Sequence, residues 1–210
     1  MIKIILVDDH ELVREGIKKV LKKETDIDIV GETPNSAGLN ELLQKVEADL
    51  VILDISLPDR SGLEVLKDLK IRYPKLRVLM LSMHPEERFA IRAIRSGASG
   101  YVTKDMAAQE LVKAVQKIMS GRKYVSTNLA EHMAAELDTP SEKPPHEVLS
   151  DREFEVLRLI ASGKKLSEIA DHLLLSVNTV TTYRARILEK MNMKSNVELI
   201  RYALENHIVE

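Results

Sequence analysis

The 210 residues are 44% hydrophobic and 30% charged, enough for one large domain or two small ones with real cores. There is no cysteine, which excludes a disulfide scaffold and a thiolate zinc site and gives no reason to expect an oxidising compartment. The net charge of −2 is balanced within residues 1–121 and within 148–210, so charge alone announces no nucleic-acid partner, and no apolar run reaches the length of a membrane span.

The first segment, Met1 to Asp9, carries two acids where a signal peptide would be cleaved, so a cytoplasmic protein without membrane contact is expected. Short apolar runs then follow at Ile2–Val7, Ile27–Val30, Leu50–Leu53, Arg77–Leu81 and Gly100–Val102. Amphipathic stretches separate and follow them near 11–23, 36–47, 61–72, 86–96 and 106–119. Runs that are apolar at nearly every position, joined by helical segments, predict a (βα)5 unit with a parallel sheet buried on both faces, an α/β doubly wound domain over residues 1–121. Residues 122–147 lose this rhythm. Leu129, Met133 and Leu137 suit one face of a short helix, while Pro140, Pro144 and Pro145 discourage packed structure, so this segment reads as a linker.

Residues 148–210 read as a small all-α domain of four helices. Ser150 and Glu153 form a capping box, and Phe154, Leu157, Ile160 and Ala161 share a face that ends at Ser162–Gly163. Helices are expected at about 166–174, 177–191 after Ser176 as N-cap, and 196–205, with only Leu175 and Ser176 joining the second to the third. That is helix-turn-helix spacing.

In an open α/β sheet, ligands bind beyond the carboxyl ends of the strands. The first run ends in Asp8 and Asp9, the third in Asp54, the fourth in Ser82, and the fifth is followed by Lys104. Three carboxylates in one pocket repel one another unless a cation sits among them, and oxygen ligands with room for water suit Mg²⁺. Asp54 can then attack phosphorus in line, with Lys104 and the Ser82 hydroxyl meeting the phosphoryl oxygens. A lone acid at a strand end is more often a helix cap, and a lone lysine a solvated one, but four such placements on successive strand ends point together to phosphoryl chemistry.

The strings Val7-Asp8-Asp9-His10, Leu53 to Gly62, Leu81-Ser82 and Gly97 to Lys104 resemble the receiver domain of bacterial two-component response regulators. The resemblance implies a flavodoxin-like fold with strand order 2-1-3-4-5 and Asp54 as phosphoacceptor. Asp8 and Asp9 would then be the Mg²⁺ carboxylates, the Ser56 carbonyl would complete the metal site, and Tyr101 would be a switch aromatic that turns inward. It also implies a sensor histidine kinase as partner. Two departures stand out. The peptide after Lys104 leads to Asp105, not to proline, and its isomer is open. Met83 occupies a position that is often small, where it either covers the pocket or packs against the next helix.

On a helical wheel of the third C-terminal helix, Val177, Val180, Ile187, Leu188 and Met191 form a buried stripe. Asn178, Thr182, Ala185 and Glu189 lie opposite, with Thr181 and Arg186 flanking. A short, polar outer face suits a major groove, while Arg186, Lys190 and Lys194 farther along suit phosphates. The same pattern also fits an ordinary solvated bundle face. The strings Leu149 to Leu157, Glu168 to Leu173 and Ser176 to Met191 resemble the LuxR-type helix-turn-helix, and with the receiver they make the whole chain similar to a NarL/FixJ-type response regulator. By position, Thr181, Thr182 and Ala185 would face bases and Tyr183 would lie beside the backbone of double-stranded DNA bound by a homodimer. Arg184, often apolar in relatives, is expected to pack its stem and send its guanidinium toward a phosphate. The family usually carries Asn-Lys where Leu166–Ser167 stands here and a lysine where Thr181 stands, so two expected positive charges are absent and a shallower salt dependence is expected.

The resemblance makes the chain a regulator, not an enzyme. A magnesium-dependent phosphotransferase would share the nucleophile, but the second acid usual in such enzymes two residues on is absent here, since Ser56 stands there. A nucleotide-binding enzyme would need a glycine-rich loop where Asp8-Asp9-His10 stands. A third reading is a regulator whose C-terminal bundle contacts only protein.

Overall fold

The computed structural model describes residues 1–83, 86–127, 129–131, 133, 144–206 and 208–209, so the expectations for Leu137 and Pro140 lie outside the described residues. The chain divides into two compact units, Met1–Asp138 and Thr139–Glu210.

In the first unit, β1 (Ile2–Val7), α1 (Glu11–Leu21), β2 (Ile27–Thr33), α2 (Ser36–Lys45), β3 (Leu50–Asp54), α3 (Gly62–Arg72), β4 (Arg77–Ser82), α4 (Glu86–Arg95), β5 (Gly100–Thr103) and α5 (Ala107–Met119) alternate as the periodicity predicts. All strand pairs are parallel and the order is β2-β1-β3-β4-β5. Four of the strands run on past the apolar stretch: β2 continues from Val30 to Thr33, and β3, β4 and β5 end on Asp54, Ser82 and Thr103. The polar residue that closes each run is thus still held by the ladder.

Alternation within the strands sorts the core. Ile4, Leu6, Leu50, Ile52, Leu79, Leu81 and Val102 pack with Ile17 and Leu21 of α1 and Leu111, Ala114, Val115 and Ile118 of α5. The intervening Ile5, Val7, Val51, Leu53, Val78, Met80 and Tyr101 are just as buried on the opposite face. β2, an edge strand, is only half-buried. The other edge is closed by the segment after α5, where Tyr124 bridges Gly100, its amide donating to Ser99 and its carbonyl accepting from Tyr101. A helical stretch follows at residues 127, 129–131 and 133, with Leu129 buried and Met133 half-buried.

Among its described residues the second unit has a 3-10 turn, Pro145–Val148, followed by α6 (Asp151–Ala161), α7 (Leu166–His172), α8 (Val177–Lys190) and α9 (Asn196–Glu205). The capping box forms as expected: the Glu153 amide donates to Ser150 Oγ at 3.3 Å, and the Ser150 amide donates to Glu153 Oε2 at 2.7 Å. The link between α7 and α8 is longer than expected, because α7 stops at His172 and Leu173 is its C-cap. Leu174 then takes φ 53, donating to the Asp171 carbonyl while Leu175 donates to Ala170, the paired bonds of a Schellman turn.

Among the described residues no helix is long and apolar enough to cross a membrane.

Candidate functional sites

Asp8, Asp54, Ser82 and Lys104 meet at the carboxyl edge of the sheet because β1, β3, β4 and β5 are neighbours and end in register. Backbone bonds just beyond the strands fix each corner: Asp8 N donates to Thr33 O, Ile55 N to Leu81 O, and Lys104 N to Ser82 O at 2.7 Å. Gly62 closes the loop after β3, its amide donating to the Ile55 carbonyl at 2.7 Å. A Cβ there would stand 2.0 Å from the Asp54 carbonyl oxygen, so no other residue fits.

The Lys104 ammonium sits between two carboxylates, 2.7 Å from Asp8 Oδ2 and 2.8 Å from Asp54 Oδ2, and all three side chains are at least 96% buried. Burial pushes the Asp54 carboxyl above its usual range and the Asp8 charge adds to this, against the pull of Lys104. Burial likewise opposes the charge on Lys104, but Asp54 and Asp8 outweigh it and raise its pKa.

Asp9 is more exposed, and its carboxylate meets His10 Nδ1 at 2.6 Å. Ligand atoms of Asp8, Asp9, His10 and Asp54 all lie within 4.8 Å of one another. Asp8 Oδ2 is buried without a well-directed hydrogen bond despite the nearby ammonium. An electron-rich oxygen with unspent lone pairs, in a set of three carboxylates, fits a hard divalent cation. The Ser56 amide donates to Asp54 Oδ1 at 3.3 Å, and Ser56 bridges Ser61 across the loop.

Ser82 is fully buried and Tyr101 nearly so. Met83 is 72% exposed, which fits no packed position against the next helix. No cis peptide occurs among the described residues, so Lys104–Asp105 is trans. Two residues that carried no sequence expectation belong to this corner. His10 follows the acid pair directly, and Arg14, one turn into α1, donates to the Asp8 carbonyl at 2.6 Å and pairs with Glu32 at 3.5 Å.

In the second unit, Val180, Ile187 and Met191 of α8 are buried and Leu188 half-buried, but Val177 is 47% exposed, against the expectation of a buried stripe. It is the first residue of the helix, so it keeps the direction of the stripe but stands at its very end, where it is left uncovered. Asn178, Thr181, Thr182, Ala185 and Arg186 form an exposed face, with Tyr183 half-buried beside it. The Thr181 and Thr182 hydroxyls donate to the carbonyls of Val177 and Asn178 at 2.8 and 3.0 Å, which leaves each oxygen free to accept.

The cations sort differently from the sequence expectation. Arg184 Nε donates to Asn196 Oδ1 at 2.6 Å, so its guanidinium ties α8 to the start of α9. Lys190 Nζ lies 2.7 Å from Glu153 Oε2, whose side chain is 3% exposed. Burial raises the Glu153 carboxyl, but Lys190 and the Ser150 donors prevail and hold it below its usual range. Arg186 and Lys194 are exposed, with no ion pair among the described residues.

Residues 4–116 match the response regulator receiver domain, and residues 147–203 match the bacterial regulatory proteins of the luxR family. The response regulator GacA of Pseudomonas aeruginosa is 34% identical, the match covering 100% of this chain and 99% of that protein. The response regulator UvrY of Escherichia coli K12 is 34% identical over 98% of this chain and 95% of its own. Among solved structures, RcsB from Salmonella enterica serovar Typhimurium, bound to the promoter rprA with the phosphomimetic BeF3⁻, aligns with a TM-score of 0.65 at 28% identity, covering 96% and 98% of the two chains. A structure of two RcsB dimers on two parallel DNAs aligns at 0.60, 28% identical, over 100% of this chain and 99% of that one. The strand order, the acid pocket and the helix-turn-helix thus coincide with both family matches, and the chain belongs to the NarL/FixJ-type two-component response regulators, DNA-binding transcription regulators and not enzymes.

Proposed function

We propose that this regulator is switched by phosphorylation of Asp54. The observation that carries the reading is Lys104, an ammonium held at 2.7 and 2.8 Å between two buried carboxylates at the end of a parallel sheet. Its position would place a positive charge where phosphoryl oxygens arrive. In the transfer, an Asp54 carboxylate oxygen bonds to phosphorus as the phosphorus–nitrogen bond of a kinase phosphohistidine breaks, and the electron pair leaves with the imidazole. Asp8, Asp9 and Asp54, with the Ser56 carbonyl, would hold Mg²⁺, which when bound neutralises the crowded acids and the donor's oxygens. Lys104 and Ser82 would then hold the new phosphoryl group, and Tyr101 would report its presence.

We divide the chain into a receiver at 1–121, a linker at 122–147 and a DNA-binding domain at 148–210, acting in the cytoplasm with a sensor histidine kinase as donor. The reader is α8. Asn178, Thr181, Thr182 and Ala185 meet base edges in a homodimer on double-stranded DNA, and Tyr183, Arg186 and Lys194 meet the backbone. Arg184 and Lys190 brace the helix through Asn196 and Glu153.

The test is intact-mass analysis after incubation with a small phosphoryl donor and Mg²⁺. One phosphoryl group is expected on the wild type and none on Asp54→Asn; undiminished labelling of that variant would remove Asp54 from the role.

A further inference from the structure

Asp59 stands outside the acid cluster, in the loop between β3 and α3. Its carboxylate reaches the first turn of α2, where it accepts from the Ser36 amide at 3.0 Å, the Ser36 hydroxyl at 2.6 Å and the Ala37 amide at 3.2 Å. Helix α2 already has a cap of its own, since Asn35 Oδ1 accepts from the Gly38 amide at 2.9 Å. Asn35 leaves the Ser36 and Ala37 amides open, and Asp59 takes both from 23 and 22 residues away, so the bonds that complete the end of the helix also tie the Asp59 loop to it. Burial works against the Asp59 charge, but the Ser36 hydroxyl and the backbone donors outweigh it and hold the carboxyl below its usual range, so it is ionised at neutral pH.

The clasp gains its meaning from the topology. α2 follows β2, the Asp59 loop follows β3, and β1 lies between those strands in the sheet. A tie from Asp59 to Ser36 therefore spans the end of β1, where Asp8 and Asp9 emerge. The loop is tied together internally: Ser56 bridges Ser61, the Gly62 amide donates to the Ile55 carbonyl at 2.7 Å, and Arg60 pairs with Asp68 at 2.7 Å. Fixing Asp59 thus fixes Ser56, which belongs to the same turn.

We propose that Asp59 is a positioning residue for the cation site, fastening the Ser56 loop to α2 across the end of β1 so that the Ser56 carbonyl and the Asp8–Asp9 pair keep the separation a divalent cation needs. The proposal rests on the reading of Asp54, Asp8, Asp9 and Ser56 as the phosphorylation and Mg²⁺ site. Removing the clasp leaves every metal ligand in the chain and alters only how well they are held together.

The experiment is Mg²⁺ titration of the full chain by calorimetry, with no phosphoryl donor present, for the wild type, Asp59→Ala and Asp59→Asn, alongside labelling of Asp54 over a range of Mg²⁺ concentrations. Asp59→Ala should bind Mg²⁺ about tenfold more weakly, as the loss of charge-assisted bonds predicts. It should label slowly at low Mg²⁺ and at the wild-type rate at saturation. Asp59→Asn keeps a carbonyl acceptor and should fall between the two. A variant that melts earlier yet binds Mg²⁺ with wild-type affinity would overturn the proposal and leave Asp59 as a helix cap. Should Asp59→Ala fail to fold, Ser36→Ala decides: it removes the shortest bond of the clasp, and an unchanged Mg²⁺ affinity would overturn the proposal equally. Weakened Mg²⁺ binding together with a wild type that never labels at Asp54 would instead defeat the phosphoacceptor reading and leave the clasp standing.

Discussion

Asp54 is a carboxylate in a place that disfavours its charge. Its pKa is raised by burial and by Asp8, so ionising it costs folding free energy: that contribution to stability is full below the carboxyl's unfolded value and is lost as pH rises through the folded one. At neutral pH, without Mg²⁺, Asp54→Asn should therefore melt a few degrees above the wild type, and the difference should vanish in acid. Melting curves at the two pH values check this, and a lower melting temperature for the variant at neutral pH would contradict it. Lys190 carries the opposite linkage. Its partner Glu153 has a lowered pKa, so the stability the pair provides is full above the ordinary carboxylate range and is lost as pH falls through the lowered value. Lys190→Ala should cost about 1–2 kcal/mol at pH 7, measured by denaturant unfolding, and less in acid. It should change the salt dependence of DNA binding little, whereas Lys194→Ala should reduce the slope by about one phosphate contact. Of these residues, the sequence showed the acids, Ser82 and Lys104 through their places at strand ends. It could not show that Lys190 and Arg184 are already engaged, because their partners Glu153 and Asn196 lie on other helices and only packing brings them near.

Helix α6 closes through Gly163 at φ 81 and α7 through Leu174 at φ 53, with the same pair of backbone bonds at each end. Leucine pays a steric cost in that region that glycine does not, and Leu174 is 71% exposed, so little packing repays it. Leu174→Gly should stabilise the full chain by about 0.5–1 kcal/mol in equilibrium unfolding, the relief exceeding the entropy of the added glycine. A destabilised variant would mean that the side chain is needed in the turn. Periodicity located all of these helices to within a few residues, since an apolar stripe at 3.6 residues is a direct imprint of a buried face. It misjudged the turn between α7 and α8 because no glycine marks it, and it misjudged the burial of Val177 because a residue at the very end of the stripe is left uncovered. For α8 as the reading element, Thr182→Glu should lower operator affinity tenfold or more, about 1.4 kcal/mol, by setting an acid against the groove. Its position is exposed, so the melting temperature should not move, and undiminished affinity would remove α8 from that role.

At the scale of the molecule, two units each present what the other lacks: one gathers buried carboxylates around an ammonium, and the other presents a short polar helix face. The parallel sheet and the helical bundle were legible as patterns, and so were the strand ends that carry the acids. The clasp of Asp59 on α2 was not, because an acid in a loop has no period and its partners are 22 and 23 residues away. On the proposed function, a phosphoryl group on Asp54 that contacts Ser82 and Lys104 in only one receiver state would favour that state, and the preference would be read out as DNA affinity. Ser82→Ala should thus accept the phosphoryl group on Asp54 yet gain little DNA affinity from it. The most direct measurement is the DNA affinity of the full chain at fixed salt, with and without a small phosphoryl donor and Mg²⁺, in the wild type and in Asp54→Asn. The account predicts tighter binding for the treated wild type and no change for the variant; equal affinity of treated and untreated wild type, with Asp54 shown by mass to be phosphorylated, would contradict it.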